Sequence, residues 1–123
     1  MNPKHILIVD DNPANLKLFT YLLSSPKYEV RTATDAREAL QALETFRPDL
    51  ILMDLQLPDI DGLELTRMLR SNPRLCDATI VAVTAYAMKG DEERARAAGV
   101  DGYISKPIDK DVFRAVVAQY LGL

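Results

Sequence analysis

At 123 residues, with 48% hydrophobic and 27% charged side chains, the chain is sized and composed for one compact domain with a real core. Its apolar runs of four or five residues exclude a bilayer-spanning helix, which needs about 20, and the start lacks a charged leader with a cleavage site. A net charge of −3 and a pI near 5.1 argue against a dedicated nucleic-acid surface, and the lone Cys76 excludes an internal disulfide.

The expected setting is therefore the cytoplasm, and the expected organisation a single domain over residues 1–123. "HILIV" (5–9) is the first strand candidate, and it runs directly into Asp10 and Asp11. Asn12 then reads as an N-cap and Pro13 as the first residue of a helix whose Leu16, Phe19 and Leu23 form one stripe. Pro26 stops that helix. "VRTA" (30–33) is the second strand, followed by a helix capped by Asp35. "LILM" (50–53) is the third, with its helix starting near Asp61 or Gly62. "TIVAV" (79–83) is the fourth, followed by a helix that starts near Lys89 and is closed by Gly99. "GYIS" (102–105) and a helix capped by Asp109 complete the series. Strands one, three and four are apolar throughout, as strands buried on both faces should be; the more polar second and mixed fifth suit sheet edges.

This alternation predicts an α/β fold: a five-stranded parallel sheet, doubly wound by helices, with strand order 2-1-3-4-5. In such sheets ligands bind beyond the carboxyl ends of the strands, where the order reverses. Here that point lies between strands 1 and 3, so Asp10, Asp11 and Asp54 converge there. Unit charges ~4 Å apart repel by about 4 kcal/mol at the effective dielectric near a protein surface. A proton, a cation or a basic side chain must offset that repulsion, and Mg²⁺ is the obvious cation for oxygen ligands. Strand 4 ends at Thr84, a hydroxyl able to donate to a phosphoryl oxygen, and strand 5 leads to the ammonium of Lys106. Asp54 is a candidate nucleophile, because carboxylates form aspartyl-phosphate intermediates.

Taken together, "LIVDDN", "PDLILMDLQLPDIDGLEL", "TIVAVTAYAMKGD" and "AAGVDGYISKP" resemble the response-regulator receiver (CheY-like) family of two-component signalling, over essentially the whole chain. Within it, "NPANLKLFTYLL" and "VAVTAYAMKGDEERARAAG" are similar to DivK-like single-domain regulators of cell division. Receivers of hybrid histidine kinases and phosphorelay intermediates carry similar stretches. The resemblance implies Asp54 as acceptor of a phosphoryl group from a histidine kinase or histidine phosphotransfer protein. It implies Mg²⁺ held by Asp11, Asp54 and the backbone carbonyl of Gln56, with Asp10 acting through a water. Thr84 and Lys106 match the family's phosphate-sensing pair, Tyr103 its switch aromatic, and Ala85 its small access residue. The bond before Pro107 is a cis candidate. The readout surface would be helix 4, strand 5 and helix 5, acting on a downstream effector protein, since no output module follows Leu123. A monomer or weak dimer is expected, with no nucleic-acid or membrane partner. The domain would catalyse only its own phosphorylation and dephosphorylation.

Other readings carry less. A haloacid-dehalogenase-type phosphatase also uses an aspartyl nucleophile, but its D-x-D pattern closes the first strand, where this chain has Asp10-Asp11-Asn12. A flavodoxin-like flavin binder would need a hydroxyl-rich loop in that place. A receiver-like module that works without phosphorylation fits the same residues. Asp59 and Asp61 read as turn residues bonded to local backbone, His5 as a solvated histidine at the far end of the sheet, and Tyr103 alternatively as plain packing. Gln56 and Tyr86 flank the pocket as candidates for tuning hydrolysis. Off the helix-1 stripe, Leu18 and Leu22 with Ala14 and Asn15 predict a second face that docks the histidine-bearing partner.

Overall fold

The computed structural model describes residues 2–85 and 90–123. Its elements run β1 (Lys4–Val9), α1 (Pro13–Leu22), β2 (Tyr28–Ala33), α2 (Ala36–Ala42), β3 (Leu50–Met53), α3 (Gly62–Arg70), β4 (Thr79–Thr84), α4 (Asp91–Ala98), β5 (Gly102–Ser105) and α5 (Lys110–Tyr120). All strand pairs are parallel in the order β2-β1-β3-β4-β5, as the alternation predicts. β2 begins two residues earlier than its apolar pattern suggests. The cause is pairing: Lys4 and His5 of β1 stand opposite Tyr28 and Glu29, and an edge strand can carry exposed polar residues while its backbone stays bonded.

Side chains alternate across the sheet and so build two cores. On one face Leu7 and Val9 join Ile51, Met53 and Ala82 beneath α2, α3 and α4, with Leu65 and Leu69 fully enclosed. On the other, Ile6 and Ile8 join Leu50, Leu52, Val81 and Val83 beneath α1 and α5, where Phe19 and Phe113 stack at 5.1 Å. Enclosing each such side chain stabilises the fold by about 1.5–3 kcal/mol before the cost of ordering it.

The helices start where their caps dictate. Asn12 accepts from the N–H groups of Ala14 and Asn15, Asp61 from Leu63, and Asp109 from Asp111 and Val112. Asp35 caps α2 through Glu38 N–H, while Glu38 reaches back to the N–H and hydroxyl of Thr34. Glu38 is held below its ordinary pKa by those Thr34 bonds, backbone first. Gly99 ends α4 at φ 122, a left-handed conformation that only glycine adopts without strain. α4 begins at Asp91; the expected start at Lys89 lies outside the described residues.

Two expectations need correction. Leu22 is a core residue packed beneath β1 and β3, so the buried stripe of α1 is wider than Leu16, Phe19 and Leu23 alone suggest. Asp59 is more than a local turn residue. Besides Ile60 N–H it accepts from Ala36 and Arg37 N–H at 3.0 Å, so it binds the β3–α3 loop to the start of α2. His5 keeps a solvated side chain, 39% exposed, while its ring also lies 5.1 Å from that of Phe46 and 3.2 Å, through Nδ1, from Arg47 O. Among the described residues, no helix is long and apolar enough to cross a membrane.

Candidate functional site

Register brings the acids together. Val9 stands opposite Met53, so the residues that follow them, Asp10 and Asp54, leave the sheet side by side. Asp10 N–H donates to Ala33 O at 3.0 Å and Asp54 N–H to Val9 O at 2.8 Å, which anchors both backbones to neighbouring strands. One face of this floor is set by a close approach. Gly62 N–H donates to Leu55 O at 3.0 Å, and a β-carbon on Gly62 would stand 2.6 Å from Asp54 O and 2.7 Å from Leu55 Cα. Only a residue without a side chain lets α3 start this near the Asp54 backbone.

On the other side, Thr84 stands opposite Ser105, and Lys106 N–H donates to Thr84 O at 2.8 Å. The Lys106–Pro107 peptide bond is cis, as expected. Lys106 Nζ then reaches across the sheet and donates to Asp10 Oδ2 at 2.8 Å and to Asp54 Oδ2 at 3.0 Å. Burial acts to lower the Lys106 pKa, but the hydrogen bonds and charges of Asp10 and Asp54 outweigh it and raise the pKa above the ordinary lysine value. At neutral pH the ammonium is fully charged.

The three carboxylates have different freedoms. Asp10 is buried and has three donors: Asn12 N–H on Oδ1 at 2.9 Å, and Lys106 and the Asn15 amide on Oδ2. Asp54, also buried, accepts Gln56 N–H on Oδ1 at 3.0 Å besides Lys106. Asp11 is exposed. Ligand oxygens from Asp10, Asp11 and Asp54 all lie within 4.8 Å of one another. Three negative charges against the one ammonium leave a formal −2, which a divalent cation would bring to zero. An all-oxygen donor set suits a hard cation such as Mg²⁺. The open lone pairs on Asp11 and Asp54 suit direct ligation, whereas Asp10, already holding three donors, suits contact through a water.

The remaining predicted residues fall around this cup. Thr84 is buried at the end of β4, Ala85 is exposed beside it, and Gln56 is exposed past Asp54. Tyr103 is half-buried against the α2–α3–α4 core, one residue into β5. Tyr86 lies outside the described residues. Asn15, Leu18, Ala85, Lys106, Pro107 and Ile108 line one groove beside the cup, with Leu18 partly packed on the α1–α5 core. Ala14 is exposed on the first turn of α1 and does not line that groove. A larger surface cavity around His5, Arg47 and Arg74 sits at the amino end of the sheet and contains none of the predicted site residues.

Two polar features, one of them in the site, were not legible as such. The bond from Asn15 to Asp10 is invisible in a strand–helix pattern, although an amide five residues after Asp10 in the first turn of a helix is a signal. The polar staple formed by Arg70 joins segments about 30 residues apart: its guanidinium donates to the carbonyls of Gly99, Cys76 and Ala78 and pairs with Asp101 at 2.7 Å. It stands at the amino end of β4 and β5, away from the cup.

Comparison with known proteins agrees with this geometry. The "Response regulator receiver domain" family matches residues 6–118. The polar-differentiation response regulator DivK of Brucella anthropi is 48% identical over 98% of both chains, and that of Brucella suis is 46% identical over 97% of both. Among solved structures, the receiver domain of sensor histidine kinase PA1611 from Pseudomonas aeruginosa, crystallised with a magnesium ion in its active site cleft, superposes with a TM-score of 0.88 at 34% identity. The superposition covers 99% of this chain and 100% of that one. A putative response regulator from Chloroflexus aurantiacus superposes with a TM-score of 0.91 at 30% identity and the same coverage.

Proposed function

The chain belongs to the response-regulator receiver family, and from that premise we propose that Asp54 is the phosphoacceptor of the acidic site formed with Asp10 and Asp11. The protein is a DivK-like response regulator and not a classical enzyme. Its phosphodonor class is the histidine kinase, directly or through a histidine phosphotransfer protein. The observation that carries the assignment is the Lys106 ammonium shared between Asp10 and Asp54, which places a cation against the carboxylate enclosed at the end of β3.

In phosphotransfer, an oxygen of Asp54 bonds to phosphorus as the N–P bond of the donor breaks, and the imidazole nitrogen keeps the departing electron pair. Lys106 pairs with a phosphoryl oxygen and the Thr84 hydroxyl donates to another, so charge spread over the transferring group meets fixed partners. Asp11, Asp54 and the Gln56 carbonyl would hold Mg²⁺, with Asp10 reached through a water; bound there, the ion offsets the charge of carboxylates and phosphate. Hydrolysis reverses the state: a water oxygen bonds to phosphorus, the Asp54 O–P bond breaks, and Asp54 leaves as carboxylate.

The phosphorylated state biases an equilibrium only through contacts that differ between the two conformations. We assign those contacts to Thr84 and Tyr103, and the readout to the α4–β5–α5 face, which would meet a downstream effector protein. The groove of Asn15, Leu18 and Lys106, with Ala14 at its margin, would receive the phosphodonor. A cytoplasmic setting goes with the reading of the chain as a DivK-like receiver.

The test is incubation with acetyl phosphate and Mg²⁺ followed by intact-mass measurement. Wild type should gain a phosphate adduct that is absent from Asp54→Asn and lost when EDTA is present. An unmodified wild type, or an equal adduct on Asp54→Asn, would overturn the assignment.

A further inference from the structure

Asp10 is held by three donors, and two of them have evident duties. Asn12 N–H belongs to the turn that starts α1, and Lys106 belongs to the phosphoryl chemistry. The third is the Asn15 amide, whose Nδ2 donates to Asp10 Oδ2 at 3.3 Å. Asn15 stands at the third position of α1, and its backbone N–H is already capped by Asn12 Oδ1 at 3.3 Å. The helix therefore makes no use of the side-chain amide. Asparagine is also a weaker helix former than alanine, leucine or lysine, so the helix alone gives no reason for it here.

We propose that Asn15 is a positioning residue for Asp10, and that its amide sets how strongly the carboxylate cup takes up a divalent cation. The inference rests on the reading of Asp54 as the phosphorylation site. Its physical basis is the terminal torsion of an aspartate, which is broad and nearly two-fold. One donor on Oδ1 leaves the carboxylate plane free to turn; a second on Oδ2 pins it. Lys106 supplies a donor to Oδ2 as well, but its ammonium is repelled by any cation that enters the cup. The amide of Asn15 is neutral and keeps its bond. Asn15 is thus the donor that holds Asp10 Oδ2 in both conditions. Hydrogen-bond partners behind directly ligating side chains are worth about 10–100-fold in metal affinity, and Asp10, which meets the ion through a water, stands one step further out.

The experiment uses the full chain with Asn15→Leu, which keeps the size and removes the donor, and Asn15→Gln, which keeps an amide on a longer stem. Mg²⁺ is titrated calorimetrically, and Mn²⁺ is added to map paramagnetic broadening of amide signals around the cup. The expected result is at most about tenfold weaker Mg²⁺ binding in Asn15→Leu, the low end of that range because Asp10 meets the ion through a water and Asn15 is partly exposed. Asn15→Gln should recover part of the loss, and both variants should melt within a few degrees of wild type without cation. Mg²⁺ affinity of Asn15→Leu indistinguishable from wild type would overturn the proposal. So would equal weakening in both variants accompanied by a lowered melting temperature, which is the mark of a merely structural residue. Failure of the wild type to bind Mg²⁺ or to label Asp54 is a separate outcome, and it would overturn the phosphorylation-site reading together with this one.

Discussion

Replacing Lys106 by methionine removes the ammonium and keeps most of the stem. The side chains involved are scarcely exposed: 16% for Lys106, 2% for Asp10 and 6% for Asp54. Solvent therefore screens the interaction little, and the formal charge of the cup falls from −2 to −3. Removing one partner of a buried, hydrogen-bonded pair costs about 3–5 kcal/mol. The exposed Asp11 side of the cup lets water and counter-ions in, so we take the low end, about 3 kcal/mol. At about 4 °C per kcal/mol for a domain of this size, the melting temperature in EDTA should fall by roughly 12 °C. Mg²⁺ should narrow the gap, because a cation enters the variant without displacing an ammonium. At 100 times its Kd a ligand stabilises by about 2.7 kcal/mol. The assay is a pair of thermal melts per protein, in EDTA and in saturating Mg²⁺. An unchanged EDTA melting temperature, or Mg²⁺ stabilising wild type more than the variant, would refute the charge argument. The pH dependence has a definite sign as well. The Lys106 pKa is raised on folding, so its contribution is fully present below the ordinary lysine value of 10.5 and is lost as pH climbs through the folded value. The gap between the two proteins should stay level from neutral pH to that point and close above it.

Three further outcomes test other parts of the structure. Gly62→Ala should lower stability by about 2 kcal/mol and slow acetyl-phosphate labelling of Asp54, because its β-carbon meets the Asp54 and Leu55 backbone; urea unfolding and a labelling time course check both. Normal values for both would mean that α3 can retreat freely. Arg70→Met should lower the urea midpoint by the equivalent of about 3 kcal/mol, through four lost hydrogen bonds, while labelling proceeds at the wild-type rate because the staple lies at the amino end of the sheet. Slowed labelling would show that the staple reaches the site. Leu18→Asp should slow phosphotransfer from a histidine kinase and spare labelling by acetyl phosphate; equal loss of both would remove Leu18 from the docking groove.

Element order, parallel topology and the gathering of Asp10, Asp11 and Asp54 were determined by the sequence alone. Uninterrupted apolar runs leave few ways to bury both strand faces, and Asn12, Asp35, Asp61 and Asp109 mark helix starts through bonds a few residues long. The chemistry of the site was legible for the same reason, since its residues close strands whose order the topology dictates. Tertiary structure decided what depends on distance between segments: that Leu22 faces the core, that Asp59 caps a helix 23 residues away, and that Arg70 staples two loops together. It also decided that Lys106, 96 residues beyond Asp10, bridges the Asp10 and Asp54 carboxylates, and that the Asn15 amide donates to Asp10. A local pattern records which face is apolar and where a backbone turn needs a cap. Which donor meets which acceptor across the sheet is settled only when the register brings their strands together.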